Sequence, residues 1–393
     1  RRSILRIALL INDLLAINRN RGILPQKKLS RSRTINAEAV KKIFPRVNKD
    51  RLEGGAVWYD GCIEEYQRLL MEVLKFSIQM GSVALNYLKA TDLLLSEKKV
   101  KGIVARDMES DQTYEFNAPV VINAAGPWSR DLARHFDKDY PSLFIKRLLN
   151  WNVLFDKQSL SRYSLGLTCH QGNEHTYFFH NWKNRLLVGT GELEVEKSDT
   201  DRVVPREAME KFIDDINGLV PGLDLTEKNI LRVYSGVLPA TDAGKLAVRE
   251  TIIDHSSHNG PRGLFSVSGV KFTTSRLVAE KTIGQIFPDS IKISDNENLK
   301  YETILDISFG YEWEPESEIQ LGILKEIMDK ESVVHLSDLL LRRTSIGDNP
   351  LRTKKILEKI KGLFDWSEEK WEAEVDLLRK ELNNKKPFEI DIA

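Results

Sequence analysis

Two stretches of the sequence carry residue types that could bring a ligand close to the main chain. The first, APVVINAAGPWSRDLA, is an apolar run that ends in Ala124, Ala125 and Gly126, the smallest side chains available. Pro127 and Trp128 follow directly. Residues without bulk after a buried strand let a flat or phosphorylated ligand approach the backbone. A tight strand-to-helix turn that merely needs small residues explains the same pattern, so both interpretations stay open.

The second stretch, FSVSGVKFTTSR, combines a glycine, a lysine and two threonines. Gly269 permits a turn, and Thr273 or Thr274 can cap the helix that begins there. Free N–H groups at a helix start suit a negatively polarised oxygen or a phosphate, and Lys271 adds a full positive charge at the same point. An ordinary strand–helix junction with a solvated lysine is the alternative.

The bulk composition narrows the classes of protein that the chain can belong to. The chain has 393 residues, 41% hydrophobic and 30% charged, which is typical of a globular protein with two or three domains. Lys plus Arg and Asp plus Glu both total 58, so the net charge is zero and nucleic-acid binding through a global basic field is not expected. The two cysteines, Cys62 and Cys169, cannot form a disulfide framework, which favours a reducing compartment.

The amino-terminal stretch SILRIALLINDLLAI is interrupted by Arg6, Asn12 and Asp13 and is too short for the ~20 apolar residues of a membrane span. Its apolar residues repeat at helical spacing, which predicts an amphipathic helix. The chain begins without Met, and we expect its true beginning to lie upstream.

The remaining helices and strands must position the two stretches that could bind a ligand. A helix is predicted over CIEEYQRLLMEVLKFSIQMG, with Gly81 as its C-cap and one apolar face formed by Ile63, Tyr66, Leu70, Val73 and Leu74. Short strands follow, with turns at 97–99 and 109–111. The last of them, 119–123, is apolar on both faces and is predicted to be buried within a covered sheet.

Residues 148–240 have a different pattern. Strand-like runs alternate with turns around one helix, PREAMEKFIDDINGLV, which suggests an antiparallel α+β domain. A strand, a tight turn and a helix return near 263–286, and the pattern is helical after about residue 315. We therefore predict a cofactor domain over 1–147 and 241–295, a substrate domain over 148–240 and a helical domain over 296–393.

The combination of VVINAAGPWSRDLA and GLFSVSGVKFTTSRLVAEKT closely resembles the FAD-dependent glycerol-3-phosphate dehydrogenases, within the D-amino-acid-oxidase-like flavoprotein superfamily. Further matches occur in the same order: NRNRG, GGAVWYDGCIEE, RLLVGTGE, YSGVLPATD, LSDLLLRRTSIG and FDWSEEKWEAEV. They cover most of the chain. The resemblance implies an α/β and α+β fold with an incomplete Rossmann-like FAD-binding domain, an antiparallel-sheet substrate domain and a C-terminal helical cap.

The same resemblance implies site residues. Lys271 would be the catalytic residue, holding an anionic substrate and stabilising negative charge on the reduced flavin. Hydride would pass from a substrate C–H to flavin N5, and a quinone, oxygen or partner protein would reoxidise the flavin. A cytoplasmic location is expected, and peripheral attachment to the inner membrane face is left open. The residues placed against FAD are Ala124, Ala125, Gly126, Pro127, Trp128, Gly269, Val270, Lys271, Phe272, Thr273 and Thr274.

The sequence departs from the family pattern at three points. No GxGxxG motif, which binds the FAD pyrophosphate, occurs anywhere in the chain, so we expect a fragment that binds FAD weakly or not at all. Leu238 stands where the family has an arginine for the substrate phosphate, and Val270 replaces a glycine before Lys271. Arg232, Lys245 and Arg249 are the candidates to compensate for Leu238.

The histidines and some charged residues allow more than one interpretation. His170, His175 and His180 are five residues apart, which fits no metal site. His180 is a candidate for the substrate pocket or for a structural role. Residues 255–258 are predicted to form a solvated loop. The arginines at 342–343 are predicted to make ion pairs or helix-capping contacts, and the acids at 64–65 to favour a helix start.

Three functional hypotheses remain. The first is a flavoprotein dehydrogenase acting on glycerol 3-phosphate or a related hydroxy acid. The second is an amino-acid or 2-hydroxy-acid oxidase or dehydrogenase of the same superfamily, which Leu238 favours. The third is a non-catalytic fragment.

Overall fold

The fold was analysed in a computed structural model, which describes residues 2–49, 52–63, 65–137, 146–169, 175–195, 203–240, 246, 249–268, 271–288 and 318–383. The helices are α1 (Arg2–Leu15), α2 (Ala37–Ile43), α3 (Tyr66–Gln79), α4 (Ser129–Phe136), α5 (Arg206–Leu219), α6 (Ser275–Ile286), α7 (Glu318–Lys330), α8 (Pro350–Ile360) and α9 (Glu368–Asn383). The strands are β1 (Arg33–Asn36), β2 (Gly54–Val57), β3 (Leu88–Ser96), β4 (Lys99–Asp107), β5 (Thr113–Asn117), β6 (Val121–Asn123), β7 (Lys146–Gln158), β8 (Leu165–Cys169), β9 (His175–Trp182), β10 (Arg185–Val195), β11 (Ile230–Ala240), β12 (Thr251–Asp254) and β13 (Leu264–Ser268).

The predicted antiparallel domain is built on a five-stranded sheet in the order β11-β7-β10-β9-β8. Helix α5 covers it because Met209, Phe212, Ile213 and Ile216 recur at helical spacing and form one buried face. Burial of these side chains against the sheet forms the larger hydrophobic core. Strand β7 begins at residue 146, two residues before the predicted domain boundary.

A smaller sheet in the order β12-β13-β6 contains the strands of both candidate ligand-binding stretches, β6 of the first and β13 of the second. Strands β6 and β13 are parallel neighbours, with Val121 opposite Leu264 and Asn123 opposite Ser266. Each strand is followed by a short turn and a helix, α4 after β6 and α6 after β13. Because the carboxyl ends of parallel strands meet at one edge of a sheet, the two turns are placed side by side.

The prediction that residues 119–123 form a strand buried on both faces is wrong. The strand spans only 121–123, Asn123 is buried, and Ile122 is 40% exposed. In the described part of the chain β6 pairs with β13 alone and is an edge strand, and the exposed Ile122 shows that one of its faces is not covered.

The predicted meander is confirmed as the antiparallel sheet β3-β4-β5. Glu97 and Lys98 both have positive φ angles, 49° and 59°, which is the geometry of a two-residue hairpin turn. Asp111, with φ 61°, lies in the second predicted turn. Helix α1 is confirmed as well, and its apolar side chains are exposed. None of the helices in the described part of the chain is long and apolar enough to cross a bilayer.

Helix α3 forms within the predicted segment, but its C-cap is Met80 and not Gly81, and it buries the opposite face. Gln67, Arg68 and Met71 are buried, whereas Leu70 is 55% exposed and Val73 is also exposed. The cause is an ion pair with the carboxy-terminal helices. The Arg68 guanidinium donates to both carboxylate oxygens of Glu331, at 2.7 and 2.9 Å, and Glu331 is buried.

The carboxy-terminal region is helical, as predicted, and has its own hydrophobic core. It consists of α7, a π-helical segment (Asp338–Arg343), α8 and α9. The Asp338 carboxylate accepts hydrogen bonds from the backbone N–H groups of Val334 and His335 and from the Tyr87 hydroxyl. The predicted ion pair is present, because Arg342 donates to both carboxylate oxygens of Glu381 at 2.7 and 2.9 Å.

Candidate active site

The turn after β6 and the end of β13 line the same cleft. Gly126 of the turn and Ser268, the last residue of β13, are both lining residues. The end of β11 contributes Leu238, so the substrate candidate from the antiparallel sheet reaches the same space. The remaining lining residues are Ser129, Arg130, Lys146, Arg147, Pro239, Thr251, Ile253 and Ser266.

The first turn is open on the side where a ligand would approach. Gly126 has a φ of +56°, which favours glycine, and a Cβ added there would meet no atom within 4 Å. Glycine is therefore required here by the backbone conformation and not by crowding from other protein atoms. Ala124 is exposed, Ala125 is half-buried and Trp128 is 38% exposed, so the turn is accessible.

A buried hydrogen-bond network joins the two strands below the cleft. The Asn123 amide donates to the Ser129 carbonyl at 2.7 Å and to the Ser266 hydroxyl at 3.2 Å. The Ser129 hydroxyl donates to the Val267 carbonyl at 3.3 Å. These bonds fix the start of α4 against β13 and hold the first turn in place.

His255 extends this network, and its predicted solvation is wrong. The ring is fully buried, with Nδ1 2.9 Å from Asp137 Oδ2 and Nε2 2.8 Å from the Ser266 hydroxyl. Burial lowers the pKa of His255, and the Asp137 carboxylate opposes part of that shift. His258 is exposed, as predicted. The sequence around His255 is polar, and nothing local signals a partner 118 residues away.

Three of the described residues that line the cleft are cations, and the sequence predicts none of them as site residues. Arg147 Nη2 donates to Asp131 Oδ2 at 2.6 Å, and Arg130 Nε lies 3.5 Å from the other oxygen of the same carboxylate. Lys146 pairs with Glu194 at 2.7 Å. The signal that could have found them is the KR pair that begins β7, directly opposite the strand that carries Leu238.

Arg232, a candidate to compensate for Leu238, lies elsewhere. It is six residues before Leu238 on β11, which is ~20 Å along a strand. Its Nη1 donates to Asp348 Oδ1 at 2.7 Å, and Arg232 Cζ lies 5.0 Å from the centroid of the Tyr234 ring. Arg249 is exposed, and Lys245 is outside the described residues.

The second turn is described only in part, because Gly269 and Val270 are outside the described residues. Lys271 is exposed with an extended backbone and is not among the residues that line the cleft. Phe272 is 45% exposed and Thr273 is also exposed.

The predicted capping of α6 by a threonine side chain is wrong. Thr274 occupies the N-cap position, but its hydroxyl makes no cap hydrogen bond to the helix. Instead, it donates to the Lys271 carbonyl at 3.0 Å, and the Thr274 backbone N–H donates to the same oxygen. These two bonds close the turn that holds Lys271.

His180 is not brought to the cleft. Across the sheet, His180 on β9 pairs with Leu187 on β10, Leu187 pairs with Leu154 on β7, and Leu154 pairs with Arg232 on β11. His180 is therefore level with Arg232, at the end of β11 that is distant from Leu238. Its Nδ1 is 2.7 Å from the Ser164 hydroxyl, and burial lowers its pKa. His175 lies in the same strand, while His170 is outside the described residues.

Comparison with known proteins gives a family match over most of the chain. A family model described as FAD dependent oxidoreductase (DAO) matches residues 11–283. Glycerol-3-phosphate dehydrogenase 1 of Mycobacterium tuberculosis is 27% identical over 292 residues, which cover 72% of this chain and 54% of that protein. The aerobic glycerol-3-phosphate dehydrogenase of Staphylococcus haemolyticus is 28% identical over 265 residues, 65% of this chain and 44% of that protein. The chain thus spans about half the length of these curated relatives.

A solved structure confirms the fold class. The FAD complex of the glycerol-3-phosphate dehydrogenase from Bacillus halodurans matches 91% of this chain and 81% of that chain, with a TM-score of 0.67 and 20% sequence identity. At this identity the likeness supports the fold, and the substrate must be argued from the cleft.

Proposed function

Because this chain belongs to the family of FAD dependent oxidoreductases, we propose that it acts in the oxidation of glycerol 3-phosphate, or a closely related phosphorylated alcohol, with FAD as the hydride acceptor. The observation that carries the proposal is the shared cleft. The turn after β6 and the end of β13 meet there, and Leu238 of the antiparallel sheet lines it as well. Support for the substrate comes from the relatives named as glycerol-3-phosphate dehydrogenases.

The residues of the first turn fit a flavin. Gly126 leaves open space where a side chain would stand, and Ala124 and Ala125 add little bulk beside it. We infer that the turn Ala124–Trp128 holds FAD together with residues 269–274. When bound, FAD supplies the acceptor for the substrate hydride.

In this proposal Lys271 acts as a positive charge beside the reacting groups. The two bonds from Thr274 to its carbonyl fix the backbone that carries it. A preorganised ammonium group stabilises negative charge that develops in the transition state, and an anionic substrate is held by the same charge. Leu238 contributes an apolar wall, and His180 serves a structural role on β9.

Oxidation of an alcohol also releases the hydroxyl proton, and the chain offers an acceptor for it. Ser266 lines the cleft, and its hydroxyl lies 2.8 Å from His255 Nε2. Burial keeps His255 neutral at physiological pH, and Asp137 at Nδ1 stabilises the imidazolium that forms when the ring accepts a proton. We infer that Ser266 and His255 move the proton away from the substrate.

The domain assignment is part of the proposal. We propose that residues 1–147 and 241–295 bind FAD, that 148–240 bind the substrate and that 296–393 form the helical cap. The support is that the antiparallel sheet with α5 and the carboxy-terminal helices have separate hydrophobic cores.

A second candidate is the oxidation of 2-hydroxy or amino acids. Leu238 favours this candidate, because it lines the cleft and supplies no charge. The glycerol-3-phosphate dehydrogenases that this sequence resembles have an arginine at that position. A carboxylate carries less charge than a phosphate and needs fewer cationic partners.

Anaerobic flavin reduction tests the function. The purified chain is mixed with FAD, and the visible flavin absorbance is followed after addition of glycerol 3-phosphate or lactate. Bleaching by glycerol 3-phosphate is the expected result, with transfer of the electrons to an added dye or a soluble quinone. Bleaching by lactate alone would support the second candidate, and bound FAD that neither compound bleaches would contradict both.

A further inference from the structure

The cleft beside Leu238 has an excess of positive charge. Arg130, Lys146 and Arg147 line it, and none of its described lining residues is acidic. The carboxylates that partner these cations, Asp131 and Glu194, are not among the lining residues.

Arg147 has unused hydrogen-bonding capacity. The residue is 4% exposed, and its Nη2 donates to Asp131. Its Nη1 is shielded from water and has no hydrogen-bond partner among the described residues. A guanidinium carries five N–H donors, and a buried charged donor without an acceptor is unfavourable. A ligand oxygen in the cleft would supply the missing acceptor after a small shift of the side chain.

Arg130 lies close enough to Arg147 for their charges to interact. The pKa of Arg130 is lowered mainly by burial, and the positive charge of Arg147 is the second cause. Asp131 contacts both guanidinium groups. An anion in the cleft would stabilise these two neighbouring positive charges, and the planar donor fork of arginine matches phosphate oxygens.

The position of Arg147 also fits a substrate site. It is the second residue of β7 and lies opposite Pro239, the residue after Leu238 on β11. Leu238 therefore provides an apolar surface, while the cations come from the neighbouring strand and from the first turn of α4. The open side of Gly126 borders the same space.

We propose that Arg147 and Arg130 bind the phosphate group of the substrate, with Lys146 adding to the local positive charge. The inference rests on the proposed function for the identity of the substrate. Phosphate chemistry has a second source here, the diphosphate of FAD, and the experiment separates the two.

The experiment measures binding to the flavin-free chain. Isothermal titration with inorganic phosphate and with glycerol 3-phosphate should show saturable binding, and Arg147→Met should weaken it at least about tenfold. Arg147→Lys keeps the charge but loses the two-pronged donor geometry, so an intermediate loss is expected. Arg134→Met is the matched control, because Arg134 is exposed on the same helix as Arg130, and its affinity should stay within about twofold of the parent.

Folding is checked by thermal unfolding of each variant. Arg147→Met should fold, because Asp131 is partly exposed and keeps Arg130 as a partner. If it does not fold, Arg130→Met and Arg147→Lys carry the test. Unchanged phosphate affinity in the folded variants would overturn the proposal.

Two further arms identify the ligand. Lactate should bind at least about tenfold more weakly than glycerol 3-phosphate, and equal binding would overturn the assignment to phosphate. FAD added first should leave glycerol 3-phosphate binding intact, and loss of that binding would assign the site to the cofactor diphosphate. If the parent chain binds phosphate but glycerol 3-phosphate does not bleach the flavin, only the proposed function is contradicted. If glycerol 3-phosphate bleaches the flavin but Arg147→Met binds phosphate as tightly as the parent, only this phosphate site is contradicted.

Discussion

Asn123 on β6 and Ser266 on β13 join the two sequence stretches that carry the chemistry, through a hydrogen bond of 3.2 Å from the Asn123 amide to the Ser266 hydroxyl. The residues are register partners on adjacent parallel strands and are separated by 143 positions in the sequence. Through the Ser129 carbonyl, Asn123 also holds the start of α4. One buried amide thus fixes the spacing between the turn after β6 and the end of β13.

Replacement of Asn123 by alanine should destabilise the protein and loosen the cleft. The Ser129 carbonyl loses a donor in a buried place, which costs about 1–3 kcal/mol in the free energy of unfolding. Urea unfolding measures this loss. Asn117→Ala, at an exposed position of β5, is the control and should change the free energy of unfolding by less than about 0.5 kcal/mol. Equal stability of the two variants would show that the network carries no energy.

Gly126→Ala tests the reason for glycine in the first turn. The added Cβ meets no atom within 4 Å, so the expected cost of about 1–2 kcal/mol arises from the positive φ alone. Gly218→Ala is the matched control, because Gly218 lies in α5 with open space around it and no positive φ. That change should stabilise the chain by about 0.5–1 kcal/mol. Chemical denaturation distinguishes the opposite signs.

His255 should make stability depend on pH. Burial lowers its pKa in the folded state from the ordinary 6.5, so below pH 6.5 the unfolded chain binds a proton that the folded chain does not. The contribution of His255 to stability is therefore complete above pH 6.5 and decreases as the pH falls below that value.

The free energy of unfolding at pH 5.5 and 7.5 should differ less in His255→Gln than in the parent. His258→Gln, at an exposed position, should retain the parental difference. NMR of the imidazole ring measures the pKa directly, and Asp137→Asn should lower it further because the carboxylate stabilises the protonated ring. A His255 that titrates at 6.5 or above would refute this account.

Glu331→Gln should be strongly destabilising. The Glu331 side chain is fully buried between Arg68, at 2.7 Å, and Lys75, at 2.6 Å, and these two cations lower its pKa against the opposing effect of burial. Removal of the carboxylate charge leaves both cations without their buried partner, which costs about 3–5 kcal/mol.

The surface pair of Lys330 with Glu326, also 2.7 Å apart, is the comparison for this change. Glu326→Gln should cost at most about 1 kcal/mol because both side chains are solvated. Urea unfolding of the two variants gives the difference. Similar costs would mean that α3 is not held to the carboxy-terminal helices by this ion pair.

Local patterns in the sequence predicted much of the fold. Helical spacing located α1, α3 and α5, and polar turn residues located the ends of the β3-β4-β5 meander, because these features depend on near neighbours. The resemblance also pointed to the two stretches that reach the cleft, through Gly126 in the first and Ser266 and Ser268 in the second. The buried face of α3 was predicted wrongly, since the partner of Arg68 is 263 residues away.

The same limit applies to the candidate site. His255 looks like a solvated loop residue until Asp137 and Ser266 are brought beside it by the parallel pairing of β6 and β13. Arg147 is unremarkable in the sequence and becomes a candidate only because β7 pairs with the strand that carries Leu238. Hydrophobic periodicity does not encode such polar pairings across strands.

The most direct test of the shared flavin cleft is hydrogen–deuterium exchange with and without FAD. Peptides that cover residues 124–129 and 264–275 should both become protected when FAD is added, while the exposed strand 113–117 should exchange at an unchanged rate. Protection of only one of the two segments, at FAD concentrations that saturate the chain, would contradict the claim that both turns hold the same cofactor.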